Sequence, residues 1–111
     1  MDSEFGMLLT TIDSKADGSK LVDQVITNKL AACGHITEPV TSTYFWDGQI
    51  NRSREWECVF KTTRSNFNRL SDFIKEHHPY DVPQIIIIPI VGGDPEYLGW
   101  IRENVPGGKK D

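Results

Sequence analysis

The chain has no apolar run approaching the ~20 residues that a bilayer-spanning helix needs; its longest, residues 85–91, is broken by Pro89. No membrane contact is expected. Basic excess is missing too: 12 Lys and Arg stand against 16 Asp and Glu, a net charge of −4. A nucleic-acid surface needs clustered cations, so no nucleic-acid partner is expected. Only two cysteines occur, Cys33 and Cys58, without a CxxC pair. That spacing signals neither a zinc knuckle nor a disulfide framework, and both read as reduced thiols. The signatures G-x-S-x-G and H-E-x-x-H and a glycine-rich phosphate loop are absent, so the expectation is a protein that is not an enzyme. No basic segment followed by an apolar one opens the chain, and a cytoplasmic location is expected.

What is present is one domain's worth of globular composition: 111 residues, 38% hydrophobic and 25% charged. Glu4-Phe5 is a frequent product of a cloning junction, and a second methionine follows at Met7. The domain is therefore placed at 7–105, with 1–6 outside the fold and 106–111 a flexible tail. Residues 7–12 read as a strand. Leu21, Val22, Val25, Ile26 and Leu30 follow helical spacing after a cap at Asp13 or Ser14, and that helix should end near Ala32. Residues 33–62 read as two long strands around Asp47-Gly48, a strong two-residue hairpin signal, with Pro39 marking an edge or a bulge. Ser65 is the expected cap of a second helix carrying Phe67, Leu70, Phe73, Ile74 and His77, stopped by Pro79. Residues 84–91 read as a central buried strand whose far end Pro89 demotes to an edge or bulge, and Asp94-Pro95 opens a last helix with Tyr97, Leu98 and Ile101.

The order β-α-β-β-α-β-α predicts an α+β fold, a ferredoxin-like split β-α-β sandwich with both crossover helices on one face of an antiparallel sheet. Each hairpin arm of roughly 13 residues would reach roughly 43 Å at about 3.3 Å per residue. Strands are usually about 5–6 residues long. Such open edges must be bent, covered or paired, and the hairpin predicts an oligomer.

Chemistry concentrates at His77-His78-Pro79-Tyr80-Asp81. Adjacent helical side chains diverge by about 100°, so His77 and His78 do not chelate one ion together. Either His77 completes the apolar stripe while His78 bonds helix-end carbonyls, or His78 binds a divalent metal with carboxylates from the hairpin. Those are Glu55 and Glu57, which share a strand face with Lys61. They are solvated, or they line a subunit boundary where a cation must offset their burial. Imidazole with carboxylate suits Cu(II), Ni(II) or Zn(II), Cu(II) binding tightest by the general order. Trp46 and Trp100 either stack a ligand or anchor an interface.

Five motifs in order, K-L-A-A-C from Lys29, Y-F-W-D-G from Tyr44, F-K-T-T from Phe60, H-H-P-Y-D-V-P from His77 and Y-L-G-W-I from Tyr97, resemble the CutA family of divalent-cation tolerance proteins. The resemblance covers nearly all of the chain after Met7. It implies a ferredoxin-like protomer in a homotrimer similar in architecture to PII signalling proteins, with the hairpin embracing neighbouring subunits, and an association with copper tolerance and copper binding. Leu9-Thr10-Thr11 stands where some bacterial members have L-C-T, and Asp81 stands where H-P-Y-E is common. The leading expectation is a non-enzymatic trimer that binds Cu(II) or another divalent cation through His78 and Glu55, with Asp81 or Glu57 assisting. The alternative is a PII-like signalling or scaffold module that binds a small anionic ligand at subunit clefts through Lys61, Tyr80 and Trp46.

Overall fold

The computed structural model describes residues 3–106; the expected tail beyond Pro106 and the first two residues lie outside the described residues. The elements are β1 (Phe5–Ile12), α1 (Lys15–Thr27), β2 (Cys33–Ile36), β3 (Val40–Trp46), β4 (Gln49–Thr63), a 3₁₀ turn (Arg64–Asn66), α2 (Phe67–His77), β5 (Ile86–Ile90) and α3 (Pro95–Asn104). The sheet order is β2-β4-β1-β5 with antiparallel neighbours, and β3 pairs with β4 beyond the end of β2. This is the ferredoxin-like topology: β4 is inserted between β1 and β2, and β1 between β4 and β5.

Alternation along β1 sends Leu8 and Ile12 to one face, where α1 and α2 supply Leu21, Val25, Leu70 and Ile74. Trp56, Cys58 and Phe60 of β4 join that core, as their period of two predicts. Gly18 lets α1 approach the sheet, because a Cβ there would sit 2.6 Å from Ile36 Cδ1. Phe5 points to the other face and packs with Ile101 of α3 and with Val105 just beyond its end.

Several expectations are corrected. β1 begins at Phe5, so Glu4 and Phe5 belong to the fold. Phe5 is 5% exposed, the Arg64 N–H donates to the Glu4 carbonyl at 2.7 Å, and Arg102 bonds the Glu4 carboxylate with two donors, at 2.7 and 3.0 Å. Helix α1 ends at Thr27 rather than near Ala32, because Lys29 takes a left-handed conformation with φ 57°. Lys29 N–H donates to Ile26 O and Leu30 N–H to Val25 O, a Schellman closure in which Leu30 and Val25 both enter the core. No glycine marks it. Ser14 is the cap of α1, accepting from Asp17 N–H at 3.1 Å. Ser65 caps nothing: α2 follows a 3₁₀ turn, and its N-cap position, Asn66, makes no side-chain cap bond. Strand β5 is an edge strand, not a central one, with Ile86 48% and Ile88 41% exposed. Its β-branched run has the composition of a buried strand, yet among the described residues only β1 pairs with it.

The hairpin's first arm is broken. Ile36 opposes Cys58 while Val40 opposes Glu55, so residues 37–39 face only 56–57. That is a one-residue bulge. Pro39 has no N–H to give, and Thr37 holds the joint, donating its N–H to Glu57 O at 2.9 Å and accepting the Glu57 N–H on Oγ1 at 3.1 Å. At the tip Asp47 and Gly48 both take positive φ, 55° and 77°, as the two-residue turn demands.

Candidate functional site

The hairpin runs past the end of β1 and leaves a cleft of about 610 Å³ between itself, the end of β1 and the turn after α2. Directly opposed residues of an antiparallel pair share a face, so Glu55, Ser53 and Asn51 of β4 share theirs with Val40, Ser42 and Tyr44 of β3. Strict alternation from Ile36 would place Ser42, Tyr44 and Trp46 on the core side of the sheet. The bulge reverses that phase, and all three line the cleft. Thr11 and Asp13 close one end, Tyr80 and Asp81 another.

Glu55 is the buried charge of this cleft, 5% exposed. The Tyr80 hydroxyl donates to its Oε2 at 2.6 Å. Burial first, then the Glu55 hydrogen bond and charge, raise the Tyr80 phenol well above its ordinary range, so it stays a donor. Tyr80 is itself held by His78, whose Nδ1 accepts the Tyr80 backbone N–H at 3.1 Å. Nδ1 is therefore the acceptor nitrogen, and Nε2 carries the proton it donates to the Thr11 carbonyl at 2.8 Å. The two rings meet edge to face at 4.6 Å. The chain Thr11–His78–Tyr80–Glu55 thus fixes the direction of one carboxylate.

These contacts redistribute the expected roles. His78 is 8% exposed with both ring nitrogens engaged inside the chain, so in this geometry it orients Tyr80 and offers no free lone pair to a metal. The helix-end carbonyl falls instead to His77, whose Nδ1 lies 2.9 Å from Phe73 O. Glu55 and Asp81 line the cleft; Glu57, opposite Thr11 on the sheet, does not. Among the described residues no three His, Cys, Asp or Glu side chains form a group able to hold a metal ion. Of the anion-binding set, Tyr80 and Trp46 line the cleft. Lys61 lies six residues along β4 from Glu55, roughly 20 Å at strand spacing, with its Nζ 5.7 Å from the Tyr97 ring. Asp13 and Tyr44 were not foreseen: Asp13 had the composition of a helix cap, and Tyr44 enters only through the bulge. Among the described residues the lining carries three carboxylates, Asp13, Glu55 and Asp81, and no Lys or Arg.

Comparison with known proteins points one way. The family profile described as "CutA1 divalent ion tolerance protein" matches residues 6–104. The divalent-cation tolerance protein CutA of Salmonella newport (strain SL254) is 34% identical over 99 residues, 89% of this chain and 86% of that protein. The crystal structure of CutA1 from the psychrotrophic bacterium Shewanella sp. SIB1 superposes with a TM-score of 0.93 at 32% identity, covering 96% of this chain and 100% of that one. The periplasmic divalent cation tolerance protein CutA of Archaeoglobus fulgidus gives 0.89 at 32% identity, covering 92% and 99%. With the profile spanning nearly the whole domain and the split β-α-β sheet shared throughout, this chain belongs to the CutA1 family of divalent ion tolerance proteins.

Proposed function

We propose that this chain serves divalent-cation tolerance as a non-enzymatic homotrimer that binds a divalent cation, Cu(II) foremost, at clefts completed by neighbouring subunits. The observation that carries the reading is Glu55: a carboxylate 5% exposed whose one side-chain partner among the described residues is the neutral Tyr80 hydroxyl. A buried charge without a counter-charge is costly, and a cation supplied from outside the protomer relieves it. One protomer does not present three converging ligands among its described residues, which favours a site shared between subunits, with Glu55, Asp81 and Asp13 on this side of it.

The trimer is supported by two unpaired edges, the overhanging β3–β4 ribbon and the exposed isoleucines of β5, both of which a second chain would cover. Unpaired Cys33 and Cys58 favour a reducing compartment such as the cytoplasm. No helix of the described residues is long and apolar enough to cross a membrane. The acidic lining favours a cation over the small anionic ligand of a PII-like module. Calorimetric titration with Cu(II) tests the reading: Glu55→Gln and Asp81→Asn should each weaken binding about tenfold or more. Unchanged affinity in both would sink it, and light scattering showing a monomer at micromolar concentration would sink the trimer.

A further inference from the structure

We propose that the Glu55 cleft is also a site for a small organic cation, an ammonium or amidinium group carried on a flat body. The inference shares the cation-seeking Glu55 with the reading above but requires no metal ion. Size is the first argument. A cavity of about 610 Å³ falls within the roughly 300–1,000 Å³ of small-molecule sites. Its walls are the second. Tyr44, Trp46 and Tyr80 bring three aromatic side chains to the lining, and aromatic faces attract organic cations through their quadrupole.

Charge selects the sign of the guest. Among the described residues the lining holds three carboxylates and no Lys or Arg, which an anion would meet with repulsion. Geometry selects where its charge sits. Tyr80 occupies Oε2 of Glu55, leaving the other carboxylate oxygen as acceptor, and an amidinium or ammonium N–H is its complement. The network that holds the carboxylate is internal: His78 fixes the Tyr80 backbone, and Thr11 fixes His78. On the same face of the ribbon as Glu55, the Tyr44 hydroxyl and Ser53 Oγ are paired at 3.2 Å. The Glu55 carboxylate is thus oriented before a ligand arrives, which lowers the cost of binding. Asp13 and Asp81 are exposed and draw a cation toward it.

Benzamidine, a flat amidinium, and benzamide, its neutral isostere, test the idea when titrated into the full chain in the presence of EDTA. Benzamidine should bind about tenfold or more tightly than benzamide. Glu55→Gln should reduce benzamidine to the level of benzamide, and Trp46→Ala should weaken it several-fold. Should Glu55→Gln fail to fold by circular dichroism, Trp46→Ala and Asp81→Asn, both at exposed positions, carry the test. No benzamidine binding, binding no tighter than benzamide, or affinity undiminished in every folded variant overturns the proposal. EDTA keeps metal out, so a failed Cu(II) titration leaves this result standing, and a failed benzamidine titration leaves the Cu(II) result standing.

Discussion

Strand β4 lives in two environments. Over residues 56–63 it is paired with β1 along its length and with β2 on its other edge, and Cys58, Phe60 and Thr62 are fully buried. Over 49–55 it is paired with β3 alone, and the apolar side chains of that ribbon lie open: Phe45 is 75% and Ile50 60% exposed. One continuous strand therefore serves the core with one half and leaves the apolar side chains around the other half exposed. Glu55, at the junction, is as buried as the first half and lines the cleft of the second.

The sharpest separation of the halves is Phe60→Ala. Its ring is enclosed by the α1–α2 core, and its loss should lower unfolding free energy by about 3–5 kcal/mol, read from urea midpoints. A loss below 1 kcal/mol would mean that the first half does not carry the core. Next comes the junction. Tyr80→Phe leaves the Glu55 carboxylate buried without its donor and should cost about 1–3 kcal/mol; no change would show that Glu55 is solvated and belongs with the outer half.

A third test uses pH. Burial, with a smaller contribution from Glu57, pushes the Cys58 thiol up from 9.0 to about 11. Because the folded value lies above the unfolded one, the stability it contributes is complete below pH 9 and is lost as pH rises from 9 through 11. The raised Tyr80 phenol acts in the same direction at higher pH. Urea midpoints across that window should fall, and Cys58→Ala should flatten the early part of the fall; an unchanged slope would place the thiol in contact with solvent. The smallest effect is expected from Phe45→Ala. At protein concentrations low enough to dissociate the proposed trimer it should lie within about 0.5 kcal/mol of wild type, while lowering the concentration-dependent stability of that trimer. Equal loss at every concentration would erase the distinction between the halves.

How far these features were legible in the sequence follows the same division. The proximal half of β4 announced itself through Trp56, Cys58 and Phe60 at period two, and with the helical stripe of α2 and the Asp47-Gly48 turn it specified the ferredoxin-like order. The end of α1 was hidden because Lys29 occupies a left-handed position usually marked by glycine. The exposure of β5 is not legible because its composition suits a fully covered strand, whereas Ile86 and Ile88 lie exposed. The cleft was half visible: Glu55, Tyr80, Asp81 and Trp46 stood out as residues, but Asp13 reads as a helix cap and Tyr44 joins them through a phase reversal that no periodicity encodes. His78 stood out for its chemistry, whereas its role depends on the Tyr80 N–H and the Thr11 carbonyl, backbone groups that every residue type presents.

The bulge at residues 37–39 has a consequence for how this chain tolerates change in length. The register of the outer ribbon is set at the Asp47-Gly48 turn, and that of the inner pairing by β2 against β4. The two disagree by one residue, and the disagreement is absorbed where Thr37 and Pro39 sit. Removing one residue there would straighten the joint without altering which residues oppose one another on either side. Removing one from 40–46 would slip every contact with β4. Residues 37–39 are thus the point in the hairpin where a one-residue insertion or deletion is best accommodated, with core and cleft both left in place.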